Sequence, residues 1–455
     1  MALNTIALII AAVLVVWASR LILKGHNPQS VLFGSGVIML FIAKILIGKL
    51  PSIPPEESEG VIDVAKIIVS SFSKTMGGVG LMIMFIGGYV KYSNAIGATS
   101  ALVNAIAKPL HKMKGNPYFI AVLILPFGHI LSLFIPSAAG LGLIMMTTVF
   151  PILRKLGVSA LTGVSVIVGS TSLCVGPASV ISNSAISIMD IPIVPYFIEE
   201  QIPLVWPTLF VLMVVYYFSI KFFERNIEVR SEEIEVGDEE SISAPKFYAL
   251  LPLLPLVLLI VFSKVFEPIG VSIQLNTTQA MLISTIMALV VELIRNPKAS
   301  IDSFKSFWEG MANIFKSVVT LILTASVFAK GIIALGVLDG LSSLIDLLSI
   351  HHIFIGITMS VFIYLASIVM GSANAAFFAF GPLIPNIAEK AGASALSMLL
   401  PMNIAASMGR AISPISGVVL ATSEIGEVDP FEVVRRNIPP MVIGLAFLLS
   451  IHYAF

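Results

Sequence analysis

Arg410 is the only Lys or Arg between Ala391 and Ser423, and no Asp or Glu lies in that stretch to neutralise it. Holding a guanidinium at bilayer depth costs at least ~2.5 to 3.5 kcal/mol on insertion scales. Two roles would account for it. A structural arginine ties itself to helix-end carbonyls, whereas a fixed countercharge forks onto a carboxylate of a cargo molecule through two parallel hydrogen bonds. The absence of any nearby acid favours the second role. Residues that could complete such an anion site fall in four places: Ser137, Ala138 and Gly140; Thr171 and Ser172; Ser372 and Asn374; and Asn403, Ser407 and Ser413. Hydroxyls and amides donate to carboxylates, and an amide in hydrocarbon needs partners. Oxygens at Ser170, Asn374 and Ser407 are the candidates for holding a coupling cation.

Other chemistries lack their parts. Cys174 is the single cysteine, so neither an intrachain disulfide nor a cysteine-based zinc site can form. An intramembrane hydrolase would need paired metal ligands or a serine with a base, and neither His-Glu-x-x-His nor Gly-x-Ser-Gly occurs. A cation/proton antiporter needs a buried carboxylate, and the uncharged stretches around these residues have none. No catalytic residue, metal or organic cofactor is therefore expected. His129 could relay protons, but the better reading is a histidine hydrogen-bonded in packing. A channel is the competing membrane function.

The elements that must position these residues are membrane helices. Of the 455 residues, 57% are hydrophobic and 11% charged, with mean hydropathy +1.01, against roughly 25% charged in a soluble domain. The net charge is zero, which removes any argument for nucleic acid. The first apolar run has no Lys or Arg before it and is long enough to span, so it reads as a retained helix. Apolar runs of membrane-spanning length alternate with loops whose Lys and Arg mark the cytoplasmic side: Arg20 with Lys24, Lys108 with Lys112 and Lys114, Arg154 with Lys155, Lys221 through Lys246, Arg295 with Lys298, and Arg435 with Arg436. The intervening loops carry mostly acid, including Glu56, Glu57, Asp190, Asp339 and Asp346. The sides alternate consistently only if two segments enter and return to the same face.

The expectation is an all-α polytopic membrane protein of two inverted repeats, with about ten transmembrane helices, two re-entrant hairpins, two broken helices and both termini external. The N-terminal repeat covers residues 1–222, with a hairpin at 117–155 and a broken helix at 158–190. A Glu-rich cytoplasmic linker takes 223–246, and the C-terminal repeat covers 247–455, with its hairpin at 352–390 and broken helix at 393–423. The repeat rests on matched residues. Ile62, Asp63 and Lys66 align with Ile301, Asp302 and Lys305, then Lys91 and Gly97 with Lys330 and Gly336. After one short slip, Ser137 and Ala138 align with Ser372 and Ala373, and Lys155, Gly157 and Ser159 with Lys390, Gly392 and Ser394.

Hydrocarbon tolerates irregular backbone only where protein or a water-filled cavity surrounds it. The hairpin tips and the breaks at Gly169–Ser179 and Ala405–Gly417 therefore point to the site. At each break a proline follows a plausible cap, Gly176 before Pro177 and Ser413 before Pro414, which predicts a new helix starting there. Asp63–Ser73 and Asp302–Phe315 read as interfacial helices. Lys91 and Lys330 read as snorkelling to the headgroups.

The string from Gly371 to Phe380, the run Ser407-Met408-Gly409-Arg410-Ala411-Ile412-Ser413-Pro414-Ile415-Ser416-Gly417 and the segment Pro430 to Val434 closely resemble the anaerobic four-carbon dicarboxylate carriers of the DcuC type. The first half agrees through Ser137 to Leu143 and at Phe150 and Pro151, and the similarity runs along essentially the whole chain. Such carriers are similar to the ion transporter superfamily, in which paired hairpin tips and helix breaks bind a carboxylate and often sodium. The resemblance implies a secondary transporter of C4-dicarboxylates in a bacterial inner membrane, built as a homodimer with a scaffold and a moving domain. Tips in that superfamily commonly read Ser-Asn-Thr, and here they read Ser-Ala-Ala and Ser-Ala-Asn, which leaves sodium symport, proton symport and substrate exchange all open. Another organic anion (citrate, a monocarboxylate or an amino acid) is the alternative cargo.

Overall fold

The computed structural model describes residues 2–24, 26–48, 50, 58–107, 116–225, 244–263, 273–337 and 351–454. Every regular element among them is a helix. The chain runs α1 (Ala2–Leu23), α2 (Pro28–Leu46), α3 (Ile62–Thr75), α4 (Leu81–Ala95) and α5 (Ala98–Ala107). It continues as α6 (Pro117–Val122), α7 (Ile124–Ser132), α8 (Ala138–Thr148), α9 (Phe150–Lys155), α10 (Ala160–Gly169), α11 (Val180–Met189), α12 (Ile193–Pro195) and α13 (Ile202–Phe223). Then come α14 (Leu254–Val261), α15 (Thr277–Arg295), α16 (Pro297–Ile314) and α17 (Thr320–Ala334). The last stretch is α18 (His352–Met370), α19 (Ala373–Phe380), α20 (Ile384–Lys390), α21 (Ala395–Arg410), α22 (Gly417–Ile425) and α23 (Pro430–Ala454).

These four stretches pack as two bundles. In the first, α2 lies against α17 and α4 against α16; in the second, α18 lies against α21, α13 against α23 and α8 against α22. Small residues let the first bundle close. A Cβ placed on Gly310 of α16 would sit 2.5 Å from the Gly87 carbonyl oxygen of α4, so the two helices touch backbone to backbone. Seven helices among the described residues are long and apolar enough to cross a membrane. The second bundle instead holds many short ones: α10, with 10 residues, reaches about half way across ~30 Å of hydrocarbon.

Glycines that the sequence pairs across the halves adopt the same conformation. Gly97 and Gly336 have φ of 77° and 75°, and Gly157 and Gly392 have 82° and 65°, each closing a helix in the left-handed region that a Cβ disfavours. The expected interfacial helices are not separate elements. Their segments begin in α3 and α16 and run into α4 and α17 through π turns at Met76–Gly80 and Phe315–Val319, with a kink at Gly78 (φ −101°, ψ −110°). Their apolar faces continue along the following span, so each pair reads as one long helix. Most of the expected linker, together with Glu56, Glu57, Lys108, Lys112, Lys114, Asp339 and Asp346, lies outside the described residues.

Candidate anion-binding site

Each hairpin turns on a serine. The arm α6–α7 folds back on α8–α9, and Ser137 caps α8, its Oγ accepting from the Gly140 amide at 3.1 Å. In the other hairpin α18 ends at Gly371 (φ 64°), and Ser372 caps α19, accepting from the Ala375 amide at 3.2 Å. Both are N-cap bonds, which leave the first amides of the helix free.

The breaks end on serines as well. α10 stops at Gly169, and α11 starts behind Ser179, whose Oγ accepts from the Ser182 amide at 3.3 Å. α21 stops at Arg410, and α22 starts behind Ser416. Both starts lie one turn beyond the expected Gly176–Pro177 and Ser413–Pro414. The prolines instead occupy turns closed by Ser179 N–H to Gly176 O at 3.0 Å and by Ser416 N–H to Ser413 O at 3.1 Å. The fixed φ of proline suits the second position of such a turn as well as it suits a helix start, and the N-cap position falls to the serines that follow, of which Ser179 makes the cap bond and Ser416 does not.

All four helix starts line one cavity of about 450 Å³. Ser137 with Ala138 and Ala139, Val180 with Ile181, Ser372 with Ala373 and Asn374, and Ser416 with Gly417 and Val418 form its walls, beside Cys174 and Arg410. The helix dipoles place positive potential at these ends, where unpaired amides are available to an anion. Among the described residues, Arg410 and Lys91 are the cations of the lining, which contains no Asp or Glu. Arg410 Nη2 donates to the Thr171 carbonyl at 2.5 Å, bridging the two breaks, and its buried Nε has no partner. One edge of the guanidinium is thus structural, as the less favoured reading had it, and the rest is unengaged beside the cavity.

Of the sequence candidates, Ser137, Ala138, Ser372, Asn374 and Arg410 line the cavity. The Gly140 amide is taken by Ser137. Ser170 and Thr171 are buried and donate to the Ile167 and Val168 carbonyls, each at 2.8 Å. Ser172, Ser407 and Ser413 are fully buried outside the lining, each with an unpartnered Oγ. Asn403 is also buried away from the cavity. Its Nδ2 donates to Ser182 Oγ at 3.2 Å and to the Tyr196 hydroxyl at 3.3 Å, which ties α21 to α11 and its neighbours. His129 sits in packing: Nδ1 bonds the Leu125 carbonyl at 2.6 Å and Nε2 accepts from the Leu173 amide at 3.2 Å.

Sequence reasoning missed Ser416, whose Oγ is buried, makes no cap bond and has no partner. The Pro-x-Ser shared by both breaks, Pro177 to Ser179 and Pro414 to Ser416, was the available signal. It also did not anticipate that Lys91 lines the cavity and pairs with Glu309 at 2.8 Å, while its repeat partner Lys330 is not part of the lining. No group of three His, Cys, Asp or Glu among the described residues could hold a metal ion.

Comparison with known proteins gives the family. Residues 3–453 match the family described as C4-dicarboxylate anaerobic carrier, DcuC. A probable anaerobic C4-dicarboxylate transporter DcuC of Vibrio cholerae is 30% identical over 97% of this chain and 96% of its own. The anaerobic C4-dicarboxylate transporter DcuC of Escherichia coli K12 is 28% identical over 98% and 96%. Among solved structures, the YdaH transporter of Alcanivorax borkumensis superimposes with a TM-score of 0.63 at 14% identity, covering 94% of this chain and 98% of that one. MtrF of Neisseria gonorrhoeae gives 0.63 at 12%, over 93% and 94%. The two structures share the fold of this chain. Matched over residues 3–453, and with apolar helices long enough to span a membrane, the chain belongs to the C4-dicarboxylate anaerobic carrier family, whose members are membrane transporters and not enzymes.

Proposed function

We propose that the chain is a secondary active transporter of C4-dicarboxylates, such as fumarate, succinate and malate, across the bacterial inner membrane. The observation that carries this reading is the cavity on which four helix starts, each preceded by a serine, and Arg410 converge without an opposing acid among the described residues. Its volume of about 450 Å³ falls in the range of small-molecule sites, roughly 300 to 1,000 Å³. The names of the DcuC relatives supply the substrate class.

Alternating access then follows an elevator-like motion. The bundle holding both hairpins and both breaks carries the anion past the bundle of α1–α5 and α14–α17, in a homodimer whose termini lie outside. Matched left-handed glycines and matched serine caps support two inverted repeats, the usual frame for such motion. Coupling is to sodium or protons, or the flux is exchange; the unpartnered hydroxyls of Ser172, Ser407 and Ser413 offer the oxygen ligands a hard cation takes.

The test is counterflow of labelled succinate into proteoliposomes, competed with fumarate, malate, citrate and aspartate, with sodium and pH varied separately. Fumarate and malate are expected to compete. If no dicarboxylate competes, the cargo assignment fails.

A further inference from the structure

The cavity has two unlike walls. One is made of the helix starts and Arg410; the other comes from the first bundle, where α4 contributes Lys91 and Asn94 and the α16–α17 helix contributes Gly310, Asn313 and Ser317. On this second wall Lys91 Nζ lies 2.8 Å from Glu309 Oε2, with the two side chains 38% and 47% exposed. The backbone contact of Gly310 with Gly87 and Gly88 fixes the pair, because it brings α16 close enough to α4 for Glu309 to reach Lys91.

Several features set this pair apart from an ordinary surface bridge. It is made by one copy of the repeat only, since the residue matching Glu309 is Ser70, and Lys330, which matches Lys91, is absent from the cavity. Lys91 is the other cation of the lining that holds Arg410. The acid partner also has a second cation, Lys305, one turn earlier on the same helix, where an i, i+4 pair can form.

We infer that Lys91 receives the second carboxylate of the diacid, exchanging Glu309 for the substrate, and so sets the preference for dicarboxylates over monocarboxylates. This rests on the dicarboxylate reading above. One carboxylate meets Arg410, Ser416 and the free amides; the other displaces the Glu309 carboxylate from Lys91, and Glu309 turns to Lys305 and water. An exposed ion pair is weak, roughly 0 to 1 kcal/mol, so a second carboxylate can displace it. A monocarboxylate leaves the pair closed and gains nothing from Lys91. Because Lys91 belongs to the first bundle, this contact forms only while the site faces it and breaks as the second bundle moves.

The test is succinate counterflow in proteoliposomes with wild type, Lys91→Gln, Glu309→Gln and the exchanged pair K91E/E309K, with butyrate inhibition measured alongside. Lys91→Gln is expected to raise the KM for succinate about 10-fold or more, the usual loss for a charge-assisted hydrogen bond, and to leave butyrate inhibition unchanged. Glu309→Gln is expected to lower that KM, because it frees Lys91. Exchanging the pair should not restore wild-type KM. A purely structural bridge would shift the KM in the same direction in both single variants and recover in the exchanged pair, and either result overturns the inference. Wild-type KM in Lys91→Gln overturns it too, while wild-type counterflow of succinate keeps the dicarboxylate reading standing. Absence of dicarboxylate counterflow in wild type would bring down both.

Discussion

The two breaks are assembled from matching parts, yet they satisfy their hydrogen bonds differently. In the first, side chains answer the irregular backbone. His129 Nε2 accepts from the Leu173 amide, Gln201 Oε1 accepts from the Gly176 amide at 2.9 Å, and Asn183 Nδ2 donates to the Pro177 and Ser179 carbonyls at 2.7 Å each. Ser172 Oγ and Asn183 Oδ1 are the exceptions. In the second, Asn437 donates to the Ala411 carbonyl at 3.4 Å, while Ser413 Oγ, Ser416 Oγ and Arg410 Nε are buried without partners. Buried polar groups are nearly always paired, so a cluster that is not calls for an explanation. The lesson is a division of labour. The first break largely closes on itself and holds its shape, whereas the second leaves Ser416 Oγ and Arg410 Nε unpaired on residues that line the cavity, where a ligand can satisfy them.

The sharpest way to break this contrast is Arg410→Ala. Succinate counterflow per inserted protein should fall by more than about 100-fold, since truncating one partner of a buried charged contact costs roughly 3 to 5 kcal/mol, with insertion unchanged. Wild-type uptake would make Arg410 a helix tie alone. Ser416→Ala should come next, raising the KM about 10-fold or more at unchanged thermal midpoint, because its hydroxyl has no partner among the described residues to lose. The matching Ser179→Ala should do the reverse, leaving the KM within about twofold and costing about 1 kcal/mol of stability through the lost cap. Equal effects of the two serine variants would erase the distinction. Gln201→Leu leaves the Gly176 amide unpaired and removes the donor to Ser182 Oγ. It should lower the midpoint, at roughly 1 to 3 kcal/mol per unsatisfied group, with little change in KM. Smallest of all, His129→Gln should keep the wild-type pH profile of counterflow, and an altered profile would return His129 to a proton pathway.

How much of this could be read in the sequence depended on range. The hairpin tips and breaks were legible because Gly, Pro and Ser interrupting long apolar runs have few other reasons to be there, and Arg410 stood out by its isolation. Helix starts were set one turn early because Gly176-Pro177 and Ser413-Pro414 suit a helix start and a turn equally, and only the three-dimensional path separates them. Asn403 was assigned to the cavity although α21 buries nearly its whole circumference, so no apolar face in its sequence says which way the amide points. Lys91 required a contact from Glu309 in the other half of the chain, which a snorkelling argument from its own helix does not contain.

Cys174, the single cysteine of the chain, lines the cavity beside Arg410 and makes the unmodified protein its own reporter. The measurement is the rate of Cys174 alkylation by a small permeant thiol reagent in proteoliposomes, titrated with succinate. Saturable slowing at concentrations near the transport KM, lost in Arg410→Ala, is the predicted result. An alkylation rate indifferent to saturating succinate in protein that transports it, or protection that survives unchanged in Arg410→Ala, would contradict the claim that the converging helix starts and Arg410 hold the cargo.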